Sequence, residues 1–202
     1  DQGMKPGLQG FTVGLMDDGT GTMTGQEFAQ AQEMLGARMY AWGDSDTTRF
    51  SVSALTRSLD ETLDLWSQYI RDPAFRENDL ERERAMAVSG VQQALSDPTS
   101  IAGRVFNYLI FGADHAYGAP LAGRADVIRS YSRDDLVAFH QRFIRPDNAV
   151  IFAAGDAAFD DLMATLEASF GDWTAPAAPR GETTIAGVAD QTAPRVVLVD
   201  RP

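Results

Sequence analysis

The chain has 202 residues and 44% hydrophobic content, enough for one sizeable domain with a genuine core and too much for wholesale disorder. Its 17 basic and 29 acidic residues leave a formal charge of −12 with no long Lys/Arg run, which excludes the electrostatic footprint of a nucleic-acid or anionic-membrane binder and suits a neutral or basic partner. Without cysteine there is no disulfide framework and no thiolate ligand or nucleophile, and no apolar stretch approaches the roughly 18–20 residues needed to cross a bilayer.

The N-terminus lacks the charged and apolar regions of a signal peptide. Because the chain opens on Asp1 and stops at Pro202, directly after the strand-like run Arg195 to Val199, it reads as a segment of a longer polypeptide, one from which a signal peptide could have been removed upstream. In chain order, three capping boxes predict helix starts at Thr24/Glu27, Ser58/Glu61 and Ser132/Asp135, since a hydroxyl can satisfy an orphan amide while a carboxylate three residues later reaches back. The first of these helices carries Phe28, Ala31, Met34 and Leu35 and ends near Gly36. The second carries Leu59, Leu63, Trp66 and Ile70 and ends before Pro73. Between them a hairpin is predicted from Arg38–Trp42 and Thr48–Leu55, bridged by Gly43-Asp44-Ser45-Asp46, because Phe50, Val52 and Ala54 alternate with polar neighbours.

The charged turn Leu80-Glu-Arg-Glu-Arg84 leads into a long helix over 77–95 stopped by Asp97-Pro98, and a further helix is predicted over Ser100–Phe111. After the loop Asp114 to Pro120, the Ser132 helix ends at Arg145-Pro146. Ala149–Ala154 reads as a buried strand, Asp160–Phe170 as an amphipathic helix, and Thr174–Pro194, rich in Ala, Pro, Gly and Thr, as a connecting segment before a last strand. A hairpin, then consecutive helices, then strand–helix–strand is the order of an α+β domain with a mixed or antiparallel sheet flanked by helices, not of a doubly wound fold. The expected organisation is one domain over 1–173, with 174–202 as connecting segment and terminal strand, either part of that domain or leading to a following one.

Five fragments in order, Gly7–Thr20, Leu35-Gly-Ala37, Leu80–Arg84, Asp114-His-Ala-Tyr-Gly118 and Arg145-Pro-Asp-Asn148, resemble the pitrilysin/insulinase (inverzincin) zinc peptidases over nearly the whole chain. That family is built from repeated α/β domains that clamp around an unfolded peptide. One domain carries an inverted H-x-x-E-H motif, in which two imidazoles one helical turn apart grip zinc, the Glu takes a proton from its water, and a distant Glu completes the ligands. The resemblance puts Gly10 and Gly14 at the two His positions, Val13 at the Glu position and Gly90 at the distant ligand. It therefore implies a non-catalytic domain: no catalytic, cofactor-binding or metal residue in this chain, no cofactor, and zinc only in an active partner domain or subunit. The family's oxyanion-holding Arg and Tyr fall beyond the point corresponding to Pro202 and are assigned to no residue here.

By the same resemblance the function is to enclose and position peptide for an active domain or partner subunit, with an unfolded peptide as the other partner, no nucleic acid and no membrane span. The alternative is a structural scaffold of the same fold. The segment alone is expected to be inactive; exported bacterial relatives favour a periplasmic setting. Other residues read as structural: His115 and His140 lack partners at metal-ligand spacing, Asp17-Asp18 and Asp44/Asp46 flank glycines at turns, and Asp18-Gly-Thr-Gly-Thr22 has neither a preceding strand nor a Walker lysine. Arg82 and Arg84 suit helix-surface pairs with Glu81, Glu83 and neighbours, and Trp42, Phe50, Trp66, Phe106, Tyr108 and Phe111 suit a core. Tyr117-Gly118 sits in a family-matched loop where packing and substrate contact are both open.

Overall fold

In the computed structural model, residues 5–113, 115–182, 185, 187, 188 and 193–200 are described. Eight α-helices and one hairpin follow in order: α1 (Leu8–Gly14), α2 (Gly25–Leu35), β1 (Arg38–Gly43), β2 (Thr48–Ser53), α3 (Leu59–Arg71), α4 (Glu77–Ala94), α5 (Pro98–Phe111), α6 (Ala125–Ile128), α7 (Arg133–Phe143) and α8 (Phe159–Phe170). The architecture is α+β, as expected, with an antiparallel sheet.

Two of the three capping boxes are complete. Thr24 and Ser132 each accept from the amide three residues on, and Glu27 and Asp135 reach back to the cap amides. At Ser58 the helix starts where expected, but a 3₁₀ turn over Thr56–Ser58 precedes it and the hydroxyl donates instead to the Leu35 carbonyl at 2.9 Å. A tertiary acceptor has drawn the hydroxyl away from the local amide donor it was expected to cap. Gly36 closes α2 in the left-handed conformation (φ 65°), which a β-carbon would disfavour. Asp97, read as a stop signal, also starts the next helix. Its carboxylate accepts from Ser100 N at 2.7 Å with Pro98 at the first helical position, so α5 begins two residues earlier than predicted.

The hairpin pairs Arg38 with Ser53 through Gly43 with Thr48, and Asp44 closes it by accepting from the amides of Asp46 and Thr47 at 2.9 and 2.8 Å. Its inner face, Met39, Ala41, Phe50 and Val52, packs on the core. The core lies between the hairpin, α1, α3, α4 and α7, built on fully buried Met16, Phe28, Tyr69, Leu80, Ile128, Tyr131 and Leu136. Phe28 stacks on Tyr69 at 5.3 Å, and Tyr69 meets Phe50 edge-on.

Three expectations fail. Among the described residues the sheet has only β1 and β2, and neither 149–154 nor 195–199 belongs to it. Both runs are apolar and β-branched, yet Phe152 is 92% and Val196 100% exposed, because no neighbouring backbone supplies a ladder. Of the aromatics expected in the core, Trp66 is buried and Phe50 half-buried, while Trp42, Phe106 and Tyr108 are exposed; Trp42 stacks on Tyr40 on the outer face of β1. The short helix α6 and 3₁₀ turns at Met16–Asp18, Ala116–Gly118 and Pro146–Asn148 carry no periodic pattern and were not read from sequence.

Leu80→Ala should lower the unfolding free energy by about 2–5 kcal/mol, since the side chain is fully buried, whereas Met34→Ala, at 82% exposure, should stay within about 0.5 kcal/mol. Urea unfolding followed by tryptophan fluorescence measures both.

Candidate functional site

The place of greatest chemical interest is α1, and its neighbours set which face it shows. Gly7 caps its N-terminus at φ 95°, Phe11 meets Tyr131 edge-on at 5.0 Å, and the Tyr131 hydroxyl donates to the Pro6 carbonyl at 2.7 Å. Gln9 fixes the helix to the hairpin by donating to Thr47 O at 3.0 Å and to the Thr48 hydroxyl at 2.9 Å, and Thr12 folds its hydroxyl back on Leu8 O. Leu8, Phe11 and Val13 are thereby buried. Gly10 and Gly14, one turn apart, face outward.

On that outer face a β-carbon at Gly10 would meet no atom within 4 Å and one at Gly14 would only touch Glu83 Oε1 at 4.0 Å; on α4, a β-carbon at Gly90 would likewise meet nothing. The backbone has room for side chains at all three. What it lacks is donor atoms, since two or three imidazole or carboxylate lone pairs are the minimum for zinc and glycine and valine offer none. The residues at 10, 13, 14 and 90 do not fit the metal that the resemblance associates with this position. Among the described residues no group of three or more His, Asp or Glu side chains is placed to hold an ion.

Beside α1 lies an acidic group from the turn after it and from α4. Asp17, Asp18 and Glu83 are all held above their ordinary carboxyl values, in each case first by loss of solvent; Asp18 then raises Asp17 and Glu83, Asp79 raises Asp18, and Arg82 lowers all three. Arg82 makes the expected helix-surface pair with a neighbour, Asp79 at 2.7 Å one turn before it, and also reaches Asp18 at 2.5 Å. Arg84 does pair with Glu81, but it also donates to Ile128 O at 2.8 Å and so joins α4 to α6. Gly19 to Thr24 form the loop expected of the Gly-rich stretch. Arg76, unremarked in the sequence, holds it by donating to the carbonyls of Thr20 and Met23, both at 2.9 Å.

The two histidines are apart from this region and from each other in role. His140 is buried and donates from Nε2 to Ile70 O at 2.7 Å; burial lowers its pKa. His115 is buried in the loop after α5, where Nδ1 accepts from Tyr117 N at 3.0 Å and the ring stacks on Phe111. Tyr117 packs edge-on to Phe111 and donates to Asp46 at 2.7 Å, tying that loop to the hairpin tip. Of Asp44 and Asp46, one closes a turn and the other accepts this bond. A shallow cleft lies between them, Arg49, Asn107 and Phe111.

Two family models match, Insulinase (Peptidase family M16) over residues 4–110 and Peptidase M16 inactive domain over 130–202. The chain belongs to the M16 peptidase family. It is 28% identical over 200 residues to an uncharacterised zinc protease of Mycobacterium bovis, a match covering 96% of this chain and 44% of that protein. It is 26% identical over 164 residues to mitochondrial cytochrome b-c1 complex subunit 1 of Bos taurus, covering 79% of this chain and 33% of that one. The crystal structure of an M16 inactive domain from Pseudomonas fluorescens superposes with a TM-score of 0.85 at 23% identity, covering 94% of this chain and 45% of the other. This chain therefore spans less than half the length of these M16 relatives, and it is an M16 protein with an inactive-type domain. None of its described helices is long and apolar enough to cross a membrane.

The open space at Gly10 leaves room for a methyl group. Gly10→Ala should raise stability by about 0.5–1 kcal/mol, because glycine inside a helix pays excess backbone entropy and the new methyl meets nothing; thermal unfolding tests it. His140 makes the fold acid-sensitive. Its folded pKa lies below the ordinary 6.5, so below about pH 6.5 the unfolded state takes up a proton that the folded state refuses, and stability falls; above that pH the contribution is flat. His140→Gln should flatten that part of the stability profile between pH 7 and pH 5.

Proposed function

We propose that this chain is a non-catalytic wall of a two-part M16 peptidase, enclosing and positioning an unfolded peptide for a zinc-bearing domain or subunit. One observation carries the reading: α1 is seated in the core by its inner face, while its outward positions 10 and 14 and the exposed position 90 of α4 hold glycine. Selection for the seat without the donors suits a domain that supplies shape. Peptide hydrolysis by a metal needs the ion, a base for its water and donors for the oxyanion, and the described residues offer no recognisable group for either of the first two. A wall can still accelerate cleavage, since holding a peptide in a reactive pose and excluding water are worth several kcal/mol of barrier.

The scaffold reading has its own support, because one relative is by name a subunit of the mitochondrial cytochrome b-c1 complex. The two are separated by a fluorogenic-peptide assay on this chain, on an M16 domain bearing H-x-x-E-H from the same genome, and on their mixture. The expected result is no turnover by this chain and faster turnover by the mixture than by the metal-bearing domain. Chelator-sensitive turnover by this chain alone would refute the proposal, and a mixture no faster than the partner would favour the scaffold.

A further inference from the structure

The stretch after α8 has the composition of a loose linker, Thr174-Ala-Pro-Ala-Ala-Pro-Arg-Gly181, and most of it is exposed. It is nevertheless held at four points, three of them through its backbone. Arg145, only 4% exposed, donates from Nη2 to Pro176 O at 3.1 Å and from Nη1 to Ala178 O at 2.7 Å. Arg180 donates to Asp147 O at 3.2 Å, and Gly181 N donates to Arg142 O at 2.9 Å. A β-carbon at Gly181 would fall inside the Phe143 ring, so the chain crosses α7 closely there.

The guanidinium is itself aimed. Asp147, two residues on, accepts from Arg145 Nε at 2.5 Å and from Nη2 at 2.9 Å, which fixes the fork so that its outer hydrogens meet the two carbonyls. Lysine, a point charge with no fixed fork, cannot make this arrangement. Proline-rich backbone presents carbonyls with no ladder to join, and arginine is the side chain able to take two of them while keeping a carboxylate partner.

From these contacts we infer that residues 176–181 are a releasable strap, locked onto α7 and the following 3₁₀ turn by Arg145. The inference is independent of the proposed function. Release is within reach because the strap rests on only a few hydrogen bonds, partly buried at Arg145 and exposed at Arg180, set against the ordering entropy of several residues, and its only half-buried members are Pro176 and Gly181.

Trypsin reads the lock directly, because the Arg180–Gly181 bond lies inside the strap, whereas Arg145 is followed by Pro146 and is not a cleavage site. In the 202-residue chain, cleavage after Arg180 should be slow compared with a peptide of residues 174–187, and should accelerate at least about tenfold in Arg145→Ala and in Arg145→Lys, since proteolysis of a locally opened segment tracks its open population. Thermal unfolding of each variant reports whether the core has survived. If Arg145→Ala fails to fold, Asp147→Asn decides, because it unaims the fork from a half-exposed position; it should also speed cleavage. An unchanged rate in a folded Arg145 variant or in Asp147→Asn, or a wild-type rate equal to that of the peptide, would overturn the strap.

Discussion

At Gly7 the backbone comes so close to Gly123 that a β-carbon would lie 2.6 Å from the Gly123 Cα, and both residues have positive φ, 95° and 75°. Backbone cannot rotate out of such a clash as a side chain can, so the two glycines together allow the approach. The seat of α1 follows from it. With its N-terminus held there and under the Tyr131 hydroxyl, the helix turns Leu8 and Phe11 inward and can turn only Gly10 and Gly14 outward. Gln9 then sets where the hairpin tip lies, and Tyr117 brings the loop after α5 to the same tip.

The outward face of α1 shows that a fold and its chemistry are separable. The inner residues make the contacts that stabilise the domain; the outward Gly10 and Gly14 contribute no side-chain contact to it. Asp17, Asp18 and Glu83 are partly desolvated and serve as partners or neighbours of Arg82, which is the ordinary way to make buried acid tolerable.

A second theme is the use of arginine. Apart from Lys5, every cation in this strongly acidic chain is an arginine, and several act as carbonyl clamps: Arg76 on the loop after α1, Arg84 on α6, Arg104 on Gly123, Arg133 on Phe75 and Arg145 on the strap. Segments without regular hydrogen bonding have orphan carbonyls, and a planar guanidinium can satisfy two at once from one buried position. This explains how a domain with only a hairpin for a sheet keeps its long connections in place.

Helix starts at Thr24 and Ser132, the left-handed stop at Gly36 and the hairpin were all legible in the sequence, because each depends on residues within about one helical turn or one strand repeat of each other. The diversion of Ser58 to Leu35, the exposure of Trp42 and Phe106, the unpaired runs at 149–154 and 195–199 and the partners of Arg76, Arg82 and Arg145 were not legible. Each of these is settled by a group tens of residues away or by the lack of one. An apolar, β-branched run states that it could enter a sheet, but a strand exists only when another backbone lies 4.7–4.9 Å beside it, and that is a fact of tertiary structure.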